Sequence, residues 1–215
     1  MSIVMLASQE PDKAGLVASL ARPGGNLTGL TIDIGPEIEA KRLELLMEAI
    51  PTVRRVAYIG TKALWESLGA QALRRAASAF GVELIHVEHT PTDYTSAFAT
   101  IERQRPDAVF ASFSAETFAN RRAIGEFSLK ARLAGMFPYS EISEAGGLMS
   151  YGMSVPDLFR RSAHYVDKLL KGAKPADLPI ERPTKFDLVI NRRTASELGL
   201  SIPRLVLLRA DRVIE

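Results

Sequence analysis

The chain contains no cysteine, which removes disulfides, thiolate metal sites and a cysteine nucleophile together. Histidine is scarce as well. The odd spacing of His86 and His89 turns them to opposite faces of an extended strand, and no Asp or His triad surrounds them or His164 at ligand spacing, so no metal is expected and the three read as surface histidines. No window approaches the ~18 consecutive apolar residues of a membrane span. An excess of one charge is also missing: the formal net charge is +2, and the arginines fall in scattered pairs such as Arg54-Arg55 and Arg121-Arg122. No nucleic-acid partner is expected from that distribution. Pro23-Gly24-Gly25-Asn26 leads into no helix and Gly146-Gly147 precedes a strand pattern, so neither has the strand-glycine-helix context of a dinucleotide or phosphate loop. With no Gly-x-Ser-x-Gly elbow and no Ser/His/Asp cluster, the sequence offers neither a cofactor site nor a catalytic constellation. The first six residues are apolar but lack a basic leader before Gln9-Glu10-Pro11-Asp12. No export signal is read there, and a chain of this form is expected to stay cytoplasmic.

What is present is a regular alternation. The 215 residues, 47% hydrophobic and 24% charged, suffice for one large or two modest domains with a substantial core. An apolar run at 2–7 reads as a buried strand, 11–20 as a helix stopped by Pro23-Gly24, and 27–34 as an extended connector. A helix over 37–50 places Ile38, Leu45, Leu46, Ala49 and Ile50 near one face. Strand patterns at 53–60, 83–88, 108–113 and 134–138 then alternate with helix patterns at 64–80, 93–103 and 115–132. Such alternation predicts an α/β fold with a doubly wound parallel sheet. Residues 148–152 read as a second connector. An amphipathic helix follows Pro156, then a strand at 186–190, a short helix at 194–198 and a last strand at 205–209.

In open parallel sheets ligands bind beyond the carboxyl ends of the strands, where strand order reverses. The candidate binding residues are therefore Thr61 and Lys62 after one strand, and Ser112, Ser114, Ala115 and Glu116 after another. Ser114 suits a helix N-cap whose free N–H groups can hold a carboxylate, and Lys62 can supply an ammonium. Tyr139 and Glu141, just past the fourth strand of the run, reach toward the same mouth. Thr28 and Asp33, in the first connector, complete the set. Trp65 falls on an apolar helix face and reads as core.

Glu144-Ala145-Gly146-Gly147-Leu148-Met149-Ser150-Tyr151-Gly152, with Lys168-Leu169-Leu170-Lys171-Gly172 and Phe186-Asp187-Leu188-Val189-Ile190-Asn191, resembles the ABC-transporter substrate-binding proteins, a family with tryptophan- and phenylalanine-binding members. Gly15-Leu16-Val17-Ala18-Ser19-Leu20-Ala21-Arg22-Pro23-Gly24-Gly25-Asn26 is similar to it too, so the resemblance covers essentially the whole chain. It implies a type I periplasmic-binding-protein fold of two lobes closing on a small organic ligand, an amino acid or an organic carboxylate, with an ABC permease as partner and a periplasmic full-length parent. On that reading residues 34–152 with 181–215 form a near-complete ligand-binding lobe. Residues 1–33 with 153–180 form the remnant of the first lobe, as in an N-terminally truncated member, so the cleft is expected to be incomplete in this chain, and the remnant's apolar groups, including Ile3, Val4, Leu158 and Leu169, are expected to be exposed and to favour a homodimer. Many relatives carry an Asp able to meet a ligand ammonium where this chain has Ser114, so a carboxylate without an amine is the favoured ligand. A ligand-sensing regulatory domain of the same fold is the alternative.

Overall fold

The computed structural model describes residues 1–8, 11–90 and 93–215. The chain divides into two compact units, and it passes from one to the other three times. The first comprises 1–34 with 153–186, the second 35–152 with 187–215.

In the first unit β1 (Ile3–Ser8) pairs in parallel with β2 (Leu27–Thr31). Met5, Val17 and Ile180 form its small core. The segment 11–20 is a series of turns and not the expected helix. Gly15 adopts φ +71° there, a left-handed conformation that ends a helical turn as soon as it starts. The helix expected after Pro156 runs Val155–Leu170 and packs on both strands. Its Leu158 is buried, so the expectation that this residue is exposed is corrected; the outward apolar positions are Phe159, Val166 and Leu170, each one residue beyond a buried or half-buried position. Ile3 is exposed as expected, whereas Val4 and Leu169 are half-buried.

The second unit opens with α1 (Glu37–Ala49) and then alternates β3 (Arg55–Ile59), α2 (Lys62–Glu66), α3 (Leu68–Phe80), β4 (Glu83–Val87), α4 (Thr95–Gln104), β5 (Ala108–Ala111), α5 (Ala115–Ala119), α6 (Arg121–Lys130), β6 (Ala134–Phe137), α7 (Ser140–Glu144) and β7 (Met149–Met153). Helix α8 is the Val155–Leu170 helix already described. After it, β8 (Phe186–Asn191), α9 (Arg192–Glu197), α10 (Arg204–Leu208) and β9 (Arg212–Ile214) complete the sheet, in the order β4-β3-β5-β6-β7-β8-β9. The pairs β3–β4, β3–β5, β5–β6, β6–β7 and β8–β9 are parallel. Apolar side chains on one sheet face, among them Val56, Tyr58, Phe110 and Met136, meet Leu43, Leu46 and Leu73 of the covering helices. Each such buried side chain contributes about 1.5–3 kcal/mol relative to exposure.

Four expectations change. The helix read over 64–80 is broken at Ser67, whose hydroxyl donates to Leu64 O (2.6 Å) and accepts from Ala70 N (3.2 Å), satisfying the end of one helix and the start of the next. The helix read over 115–132 is broken at Asn120, whose Nδ2 donates to Glu116 O at 2.9 Å and so satisfies the end of α5, with no side-chain cap on the start of α6. The apolar run at 205–209 lies in helix α10 and not in a strand: Pro203 starts it, Val206 points into the core, and Leu205 and Leu208 remain exposed. The connector read at 148–152 is β7, a member of the main sheet.

At Gly152, on β7, a Cβ would overlap the Pro138 carbonyl oxygen, so only glycine lets the two backbones approach this closely. Gly152→Ala is expected to cost about 1–3 kcal/mol through that overlap. Melting of the variant should fall by at least ~2 °C, and an unchanged transition would contradict the packing described for β7.

Candidate functional site

The reversal of strand order lies between β3 and β5: the chain goes from β3 to β4 on one side, then crosses back to β5 on the other. The Ser112 N–H donates to Ile59 O (2.9 Å), and the two loops leave the sheet from neighbouring positions. Parallel pairing of Val56–Ile59 with Ala108–Ala111 fixes this register. The expected site loops at 60–64 and 112–117 therefore share one mouth.

Within it, Thr61 is the N-cap of α2, its hydroxyl accepting from Leu64 N at 3.4 Å, and Lys62 is exposed at the first helical position. Ser114 caps α5: its hydroxyl accepts from Thr117 N (3.1 Å) and donates to Thr117 Oγ1 (3.2 Å). Tyr139 reaches across from the end of β6 and donates its hydroxyl to Ser114 O at 2.9 Å. Its ring stands edge-on to Phe118 and tilted against Phe113. Ser112 is buried. Ala115 is exposed. Glu116, on the first turn of α5, has its carboxyl held below the usual range by its own backbone N–H and by the Ser114 hydroxyl.

Three further predicted residues lie on other elements. Glu141, half-buried on α7, lines a surface groove of about 650 Å³ with Arg121, Arg122, Glu144 and Arg193. Thr28 and Asp33 belong to the first unit. The Thr28 hydroxyl donates to Leu178 O (2.7 Å), and Asp33 pairs with Arg182 at 2.8 Å.

The structure adds residues that the sequence reading passed over. Glu39 and Arg42, one helical turn apart on α1, are both buried, Arg42 completely. Arg42 Nε donates to Tyr151 O (2.6 Å), and Nη1 lies 2.9 Å from Glu39 Oε1. The guanidinium is also 6.0 Å from the centre of the Phe113 ring. Burial pushes the Tyr58 phenol up, with the Glu39 charge adding to the effect and Arg42 opposing it. Burial raises Tyr139 in the same way, and Arg42 again opposes. Both phenols thus feel the buried pair. The available signal was a charge inside an apolar stripe, since Arg42 fills the gap between Ile38 and Leu45-Leu46.

Two further groups frame the mouth. Trp65 is half-buried and stacks on His86 (centroids 4.8 Å apart, planes within 2°), with the Arg74 guanidinium 4.6 Å from the centre of the Trp65 ring and His86 Nε2 2.9 Å from Gly60 O. His89 is buried and not at the surface as expected. Its Nε2 meets Tyr94 Oη at 3.1 Å, and Tyr94 Oη meets Thr117 Oγ1 at 3.3 Å, so a buried polar chain runs to the α5 cap. Burial pushes the Tyr94 phenol up to about 12.

The model of the ABC transporter substrate binding protein family matches residues 1–214. The chain belongs to that family. A tyrosine-binding protein of Clostridioides difficile (strain R20291) is 21% identical over 204 residues, which are 92% of this chain and 57% of that protein, so the chain spans little more than half the length of this curated relative. Among solved structures, an ABC domain from Streptococcus pneumonia in complex with L-Trp is similar at a TM-score of 0.82 with 24% identity, covering 99% of this chain and 72% of that one. A conserved domain protein of Vibrio cholerae is similar at 0.82 with 26% identity, over 99% of this chain and 71% of its own. The α/β fold with its mostly parallel sheet is that of a type I periplasmic-binding-protein lobe. The family is one of solute-binding proteins.

Ser114→Ala removes the acceptor for Thr117 N–H, and with it the hydroxyl that helps hold the Glu116 carboxyl below its usual range. A stability loss of about 1 kcal/mol is expected. The folded-state pKa of Glu116 is depressed, so its contribution is present above the unfolded pKa and fades as pH falls through the folded one. In an NMR titration the Glu116 midpoint should lie below that of exposed glutamates and rise in Ser114→Ala; equal midpoints in the two proteins would contradict the influence of the Ser114 hydroxyl on this carboxyl.

Proposed function

We propose that this chain is the solute-capturing component of an ABC importer. It holds a small organic ligand, an amino acid or an aromatic or organic carboxylate, at the carboxyl ends of β3 and β5, without transforming it. The observation that carries this reading is the convergence of the 60–62 and 112–116 loops at the sheet's reversal, inside a chain matched by the family along nearly its whole length. Hydroxyls, backbone groups and aromatic rings line that mouth, the lining expected of a site that orients a small molecule. The relatives named as binding tyrosine and solved with L-Trp point to the aromatic amino acids as the first ligands to try.

An ABC permease is the partner this reading requires, and the periplasm is the compartment in which such a component works. Self-association through the outward apolar positions of α8, Phe159, Val166 and Leu170, belongs to the same proposal.

Isothermal titration of the chain against a panel of L-amino acids and small carboxylates tests the function. Saturable binding of at least one of them, with a stoichiometry near one and no chemical change in the recovered ligand, is the expected result. Conversion of the ligand, or the absence of heat from every member of the panel, would reject the reading.

A further inference from the structure

Resting on that reading, we infer that Glu39 and Arg42 receive the head group of a zwitterionic α-amino acid, the carboxylate on the Arg42 Nη groups and the ammonium on Glu39 Oε2, in preference to a simple carboxylate.

The argument begins with what the buried pair leaves undone. A guanidinium carries five N–H donors. In Arg42 the Nε donor is used, on Tyr151 O, whereas neither Nη has a hydrogen-bond partner of adequate geometry among the described residues. Glu39 Oε2 is likewise without one. Buried charges left incompletely hydrogen-bonded are costly, and the usual resolution is a partner that supplies the missing bonds. The unused groups here comprise donors and a carboxylate acceptor, which is the complement of a carboxylate and an ammonium on one carbon.

Position supports the same assignment. Arg42 Nη2 lies 3.6 Å from where a Cβ on Gly152 would stand, so the guanidinium extends from α1 to β7 near its carboxyl end. Phe113, beyond β5, faces the same guanidinium, and the phenols of Tyr58 and Tyr139 sense the pair. Net charge then selects between ligand classes. The Glu39–Arg42 pair is neutral, and a zwitterion leaves the buried set neutral. A carboxylate alone adds an uncompensated negative charge, and an amine alone a positive one. The inference therefore reverses the preference for an amine-free acid that Ser114 suggested in the sequence: the acidic group that meets the ammonium comes from α1.

The test compares matched probes on the chain: L-tryptophan with indole-3-propionate, L-tyrosine with 3-(4-hydroxyphenyl)propanoate, and L-leucine with 4-methylpentanoate. Calorimetry is expected to favour the amino acid of at least one pair tenfold or more. Glu39→Gln keeps the side-chain volume and leaves a net positive pair, so the ratio of amino acid to matched acid should fall at least tenfold, with the acid binding better than before. A merely structural pair would weaken both probes alike. An unchanged ratio, or a matched acid that binds the native chain as tightly as its amino acid, overturns the inference while the solute-binding function stands. If no probe of either kind binds, the function itself fails and the inference with it. Should Glu39→Gln lose its cooperative melt, the native ratios, with tryptamine as a third probe expected to bind at least tenfold more weakly than L-tryptophan, decide the matter alone.

Discussion

The strand-end mouth proposed for the ligand depends on β3 and β5 lying side by side. Their parallel register, ending in the bond from Ser112 N–H to Ile59 O, is the one contact that makes two loops separated by a whole strand-helix unit emerge together. Crossover connections are right-handed and consecutive strands normally neighbour each other, so a chain that winds outward to β4 and then returns must leave a crevice where it turns back. The short capped helices α2 and α5 then carry Thr61 and Ser114 out of that crevice's rim. Weakening the β3–β5 pairing would separate the 60–62 loop from the 112–116 loop.

A second constraint is the ion pair sunk into α1. Breaking such a pair by removing one partner is far more damaging than replacing both, because the remaining charge stays buried without compensation. Burial is the main cause that raises the phenols of Tyr58 and Tyr139, and the charges of Glu39 and Arg42 act on both in opposite directions. Aromatic rings at the same edge, Phe113 with Tyr139 and Trp65 with His86, supply apolar surface beside the charges. Polar groups fixed by a rigid scaffold beside aromatic faces are the ordinary means by which a protein orients a small amphipathic molecule.

The α/β class and the place of the mouth were legible in the sequence because each rests on local signals: apolar runs such as that of β5, ended by Ser112 and Ser114, and helix periods ended by Pro51 or Gly81. The misread elements share a cause. Ser67 and Asn120 interrupt helices whose apolar spacing continues across the break, so periodicity alone joins what side-chain caps divide. In the run after Pro203 four apolar residues fit a buried strand as well as a helix, and only tertiary pairing of Arg212–Ile214 with β8 decides. Residues 11–20 looked helical because the spacing outweighed Gly15, whose positive φ breaks the turn. Glu39 and Arg42 were passed over because single charges on helices are ordinarily solvated, and burial is a property of the packed molecule.

Mapping a ligand onto the backbone tests the central claim most directly. In heteronuclear NMR spectra of the chain titrated with L-tryptophan, the amides of Gly60, Thr61, Ser112 and Ser114 should shift together with a single dissociation constant, and those of Arg121, Glu144 and Arg193 around the surface groove should stay in place. Shifts confined to the groove, with the strand-end amides unmoved, would contradict the account.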